Sequence, residues 1–96
     1  MQQYLVYAKD YADALPRRME ARERHLEGMR ELQRRGSFLF GAALLNERGE
    51  MIGSTLALQF DSQSDFDFWY AQEPYIVGKV WENVEIHACK RAVINE

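Results

Sequence analysis

The chain has 96 residues, of which 47% are hydrophobic and 28% charged, and it carries a formal net charge of −3. That length holds one domain, residues 1–96, with a thin core; the apolar content excludes disorder, and the acidic balance excludes a nucleic-acid protein, whose binding face makes its domain basic. The single cysteine, Cys89, cannot form an internal disulfide, which points to a reducing compartment. Met1 runs into Gln2, Gln3 and Tyr4 without a basic leader, and no apolar run approaches the ~20 residues of a membrane span. The expectation is a cytoplasmic protein with no nucleic-acid or membrane partner.

Residues 3–9 (QYLVYAK) are β-branched and aromatic, and predict a first strand. Asp10 to Leu15 reads as a loop, with Asp13 a plausible N-cap. Pro16 suits a helix's first turn, where its missing N–H costs nothing. From Arg17 to Arg35 the chain is helical: Met19, Arg22, Leu26, Met29, Leu32 and Gln33 recur at three- and four-residue steps. Glu20 with Arg24, Glu27 with Arg30, and Glu31 with Arg35 are spaced to pair one turn apart. Gly36 supplies the left-handed stop.

Residues 37–45 (SFLFGAALL) and 51–60 (MIGSTLALQF) predict a hairpin around the turn NERGE, in which Gly49 is free to take positive φ. Ser62 and Asp65 have capping-box spacing for a second helix running to about Ala71. Pro74 interrupts it, and residues 74–81 predict a further helical turn. Residues 83–91 (NVEIHACKR) predict the last strand, and the tail to Glu96 frays or pairs with a partner. The order βαββαβ gives an α+β, ferredoxin-like fold: a four-stranded antiparallel sheet with two helices on one face.

Such a sheet should alternate apolar and polar residues. Instead the second strand carries Phe38, Leu39, Phe40, Ala42, Ala43, Leu44 and Leu45, apolar on both faces, and the first places Tyr4, Val6 and Ala8 on one face and Leu5 and Tyr7 on the other. Two helices cover one face only. A second copy is the simplest cover for the other, so a homodimer is expected.

His25 is the first residue suited to chemistry. It lies within about 40° of Met29 and Leu32 on a helical wheel, so it points towards the apolar side. A histidine there is more often a satisfied core or rim residue than a catalyst, yet imidazole is the side chain that moves protons near neutral pH. Arg22 can grip an anionic group bidentately or form a rim ion pair. Ser54 can hydrogen-bond a ligand, although a strand serine beside a glycine is more often structural. Tyr7 and Tyr75 can line a pocket or fill a core. His87 reads as structural or surface, and Cys89 shows no neighbour pattern that marks a reactive thiol. Two distant histidines without a Cys-x-x-Cys argue against a metal, and the chain has no glycine-rich phosphate loop or dinucleotide fingerprint. The arginines of the first helix are interleaved with glutamates, as on a solvated face.

Four short stretches carry a resemblance. Arg22, His25, Leu26 and Gly36 match the pattern Arg-x-x-His-Leu followed by a glycine eleven residues after the histidine. Gly53-Ser54 falls on the third strand, residues 73–78 read EPYIVG, and Tyr7-Ala8 is followed by Asp10. In this order, over nearly the whole chain, they resemble the YCII-related (YciI-like) family. The resemblance implies a ferredoxin-like fold, dimers of the α+β barrel type and a histidine–aspartate site, with elimination on chlorinated hydroquinones in one branch. It makes His25 the general acid or base. The family's Asp-Pro aspartate falls on Glu73, which keeps the carboxylate and adds a methylene, and the family's Gly-Pro is here Gly41-Ala42.

Three functions are compatible with these residues. One is a cofactor-independent lyase or related proton-transfer enzyme on a small molecule, in which His25 moves the proton and Glu73 orients it. Another is a non-catalytic small-molecule binding or sensing dimer with a vestigial site. The third is a structural or assembly partner, which a space sealed by side chains around His25 would favour. The wider dimeric α+β barrel group, with cofactor-free monooxygenases and isomerases, shares the topology, and topology alone does not choose among them.

Overall fold

The computed structural model describes residues 1–94. It comprises β1 (Gln2–Asp10), α1 (Leu15–Arg34), β2 (Phe38–Leu45), β3 (Met51–Phe60), α2 (Gln63–Gln72), α3 (Pro74–Val77) and β4 (Trp81–Cys89). The strands form one sheet in the order β2-β3-β1-β4, and each neighbouring pair is antiparallel. This is the ferredoxin-like βαββαβ arrangement. Trp81, read from the sequence as part of a helical turn, is instead the first residue of β4 and is buried. The expected pairing of the tail to Glu96 falls in part outside the described residues.

Alternation divides the sheet. Tyr4, Val6 and Ala8 of β1 and Ser54, Leu56, Leu58 and Phe60 of β3 are buried beneath the helices. Residues facing one another across antiparallel strands share a face. The register Leu5↔Ala57, Tyr7↔Thr55 and Phe40↔Ala57 therefore puts Leu5, Tyr7, Phe40 and Ala57 on the other face. No helix among the described residues covers them, and Phe40 is 54% exposed. His87 pairs with Leu5 on this open face and meets Glu85 at 3.2 Å.

In α1 the buried residues are Arg18, Ala21, His25, Met29 and Leu32. The stripe read from the apolar spacing is thus displaced: Met19 is 52% exposed and Arg22 lies outside, because two buried positions carry polar side chains. The helix has no side-chain N-cap. Its cap residue is Ala14, and Asp13 instead takes a left-handed conformation with φ 61°. Gly36, at φ 76°, ends the helix as its sequence indicates. On the solvent face Arg30 meets Glu23 and Glu27, and Arg34 meets Glu27 and Glu31. Arg35 is the C-cap residue, past the helical repeat, so Glu31 pairs with Arg34 rather than with Arg35. Ser62 caps α2 by accepting from the Asp65 N–H at 3.2 Å.

Candidate active site

Pro74 places the carboxylate. The ring of a proline disfavours helical geometry in the residue before it, and Glu73 is extended at φ −61°, ψ 122°, between α2 and α3. Its side chain turns inward and is almost fully buried. Oε1 of Glu73 accepts the backbone N–H of Tyr75 at 3.1 Å and lies 2.5 Å from Nδ1 of His25. With Glu73 as a carboxylate, an acceptor only, Nδ1 is the donor of this bond. Nε2 is then the nitrogen left to exchange a proton.

The His25 ring is fixed on its flanks as well. It stacks on Tyr75 with centroids 4.0 Å apart and an interplanar angle of 11°, and it meets the edge of Trp81 at 6.2 Å. The guanidinium of Arg18 stands over the Tyr75 ring at 4.6 Å. Arg18 and His25 are seven residues, or about 10.5 Å of helix, apart. Two groups cannot both occupy one face of the ring, so Tyr75 is held between them.

Arg18 is the buried residue that the sequence reading does not single out. Its Nη1 meets both carboxylate oxygens of Asp10 at 3.0 and 3.1 Å, and its Nη2 donates to Ser54 Oγ at 2.8 Å. Burial pushes the Asp10 carboxyl above its ordinary value, and the charge and hydrogen bonds of Arg18 offset part of that. Burial likewise raises the Tyr75 phenol. Two signals in the sequence could have found this cluster. Asp10 has the same strand parity as Tyr4, Val6 and Ala8, and Arg18 lies two helical turns before His25.

Between α1 and the β2–β3 edge lies an open cleft of about 190 Å³. His25, Arg18, Arg22, Ser54 and Tyr75 supply its polar lining, and Leu26, Met29, Phe38, Met51 and Leu56 supply apolar walls. Gly41 and Ala42 line it from the edge strand, where the absent proline of the resembled pattern would have stood. A cavity of roughly 150 Å³ holds a benzene ring, so this cleft suits one substituted six-membered ring. Glu73 is not part of its lining. The residue instead borders a separate groove between α1 and α2, with Leu32, Trp69 and Pro74. Its link to the cleft runs through His25. Gly53 lets β1 and β3 close behind Ser54, since a Cβ there would lie 2.5 Å from the Ala8 carbonyl oxygen.

The structure thus brings together His25, Glu73, Tyr75, Ser54 and Arg22. Arg22 is an exposed rim residue with no hydrogen-bond or ion-pair partner among the described residues. Tyr7 does not join them. It has the opposite strand parity and lies on the uncovered face, so in this chain it cannot line the cleft of His25.

Known proteins agree with this fold. Protein YciI of Escherichia coli O6:H1 is 30% identical over 94 residues, which cover 92% of this chain and 96% of the relative. An uncharacterized protein of Haemophilus influenzae is 29% identical over the same length. Among solved structures, a 5-chloro-2-hydroxyhydroquinone dehydrochlorinase from Burkholderia phenoliruptrix AC1100, in complex with 2,5-dihydroxybenzoquinone, superposes with a TM-score of 0.82. It is 19% identical, with 94% of this chain and 95% of that one covered. Protein Atu4242 from Agrobacterium tumefaciens superposes with a TM-score of 0.55 at 16% identity, covering 96% and 94% of the two chains. The profile of the YCII-related domain matches residues 2–90, and the chain belongs to that family.

Proposed function

We propose that this chain is a cofactor-independent proton-transfer enzyme of the lyase type, acting on a small oxygen-bearing ring. The observation that carries the reading is the buried His25–Glu73 pair beside an open, ring-sized cleft. Glu73 and the stacking on Tyr75 fix the imidazole, so Nε2 presents its lone pair to the cleft. Nε2 takes a proton from the bound ring. The electron pair left behind forms a new double bond, and a leaving group departs with its own bonding pair. No electrons are gained or lost overall, so the step needs no oxidant or reductant. Arg22 at the rim attracts an anionic substrate or leaving group. The open space beside His25 argues against a site sealed by its own side chains.

The working unit in this reading is a homodimer in the cytoplasm. The apolar residues on the uncovered face, with Phe40 more than half exposed, support the dimer. The single, exposed Cys89 suits a reducing compartment.

The dehydrochlorinase of similar fold supplies the assay. Chloride release from 5-chloro-2-hydroxyhydroquinone should be catalysed by the wild-type chain and fall by about 10²–10⁴-fold in His25→Ala. Equal rates for the two proteins would refute the reading. If neither releases chloride, yet 2,5-dihydroxybenzoquinone binds the wild type and not His25→Ala, the chain is a binding or sensing dimer.

A further inference from the structure

Ser54 is 2% exposed, and its Oγ has two neighbours besides the cleft. Arg18 Nη2 donates to it at 2.8 Å and Trp81 Nε1 donates at 3.2 Å. Guanidinium and indole N–H groups only donate, and a hydroxyl has two acceptor lone pairs and one proton. Both lone pairs are therefore occupied. The hydroxyl proton finds no acceptor among the described residues, while the serine lines the same cleft as His25.

We infer that Ser54 is an obligate hydrogen-bond donor that receives an acceptor oxygen of the ligand, an oxyanion or a carbonyl, within the His25 cleft. The two donors behind Oγ fix the direction of its proton, and the positive charge of Arg18 polarises the O–H bond. A preorganised donor of this kind acts where negative charge accumulates on oxygen. His25 and Ser54 then divide the work: His25 Nε2 accepts a proton, and Ser54 O–H steadies the oxygen on which charge develops. A ligand offering an amino group at that position would set donor against donor and leave a buried proton unpaired, which is the stronger form of discrimination. The inference rests on the proposed function only in taking this cleft as the ligand site.

Binding of pentafluorophenol, ionised at neutral pH, is compared with that of pentafluoroaniline by fluorine NMR. The rings match in size and differ in acceptor oxygen against amino donor. The wild type should prefer the phenolate by about tenfold or more, as expected of a hydrogen bond to a charged group. Ser54→Ala should lose most of that preference. Trp81→Phe releases one lone pair of Oγ while leaving the hydroxyl, and should narrow the preference several-fold. That second variant carries the test if Ser54→Ala fails to fold. A preference unchanged in these variants would assign anion recognition to Arg22 and overturn the inference, as would failure of both compounds to bind the wild type. A Ser54-dependent preference in a protein whose His25→Ala variant loses no catalysis would instead uphold the inference and sink the proposed function.

Discussion

At one end of the helix layer Phe66 has four rings, those of Tyr4, Phe60, Trp69 and Tyr70, within 4.4–5.9 Å. At the other end Arg18, His25, Ser54 and Glu73 are buried as deeply, among Tyr75 and Trp81. Both ends lie between the same sheet and the same helical layer. The aromatic end gains by excluding water. The polar end loses hydration and recovers it only because nearly every buried group has a partner, with the Nε of Arg18 left over among the described residues. Such expense at one end of a thin core supports the proposal that this end carries the site.

The largest expected effect tests the aromatic end. Phe66→Ala should destabilise the fold by about 3–5 kcal/mol in urea unfolding, as removal of a buried aromatic ring does. The affinity of the folded fraction for a ring in the cleft should stay the same. At the polar end Glu73→Ala strands the His25 Nδ1–H and the Tyr75 N–H, and should cost about 3 kcal/mol. Glu73→Gln sharpens the contrast, because the amide oxygen still accepts both protons. It should cost only about 1 kcal/mol while slowing proton transfer at least about a hundredfold. An unaltered rate in that variant would show that the negative charge is dispensable.

The smallest effect is a pH slope. The Asp10 carboxyl is raised in the folded state, chiefly by burial. The folded chain then binds this proton more tightly than the unfolded chain, so the contribution is full below the unfolded value. It is lost as pH rises through the folded one. Asp10→Asn should remove that component, so the stability of the wild type relative to the variant should fall with rising pH across the acid range. Denaturant unfolding at a series of pH values measures this directly.

Much of the fold is legible in the chain because its signals are local. Pro16, Gly36, Ser62 and Pro74 mark helix boundaries by backbone chemistry alone, and β1 to β3 follow from β-branched, aromatic and apolar runs bounded by a turn. The site is less legible because its residues violate the pattern that reveals the fold. Apolar spacing in α1 points to Met19 and Arg22, whereas the buried stripe runs through Arg18 as well as His25, and only His25 is placed there by the helical wheel. No local signal says that Glu73 reaches a residue 48 positions away, and only the family pattern pairs it with His25. Tyr7 shows the opposite failure: a residue of suitable chemistry is excluded by strand parity, which the sequence already contains.

The His25–Glu73 pair is tested most directly by long-range proton–nitrogen NMR of the imidazole in the ¹⁵N-labelled protein at alkaline pH. The expected spectrum shows Nδ1 protonated, with a strongly deshielded, slowly exchanging proton, and Nε2 as the nitrogen with the free lone pair. A ring protonated on Nε2, or one averaging freely between tautomers as in solvent, would contradict the pair and with it the assignment of Nε2 as the base.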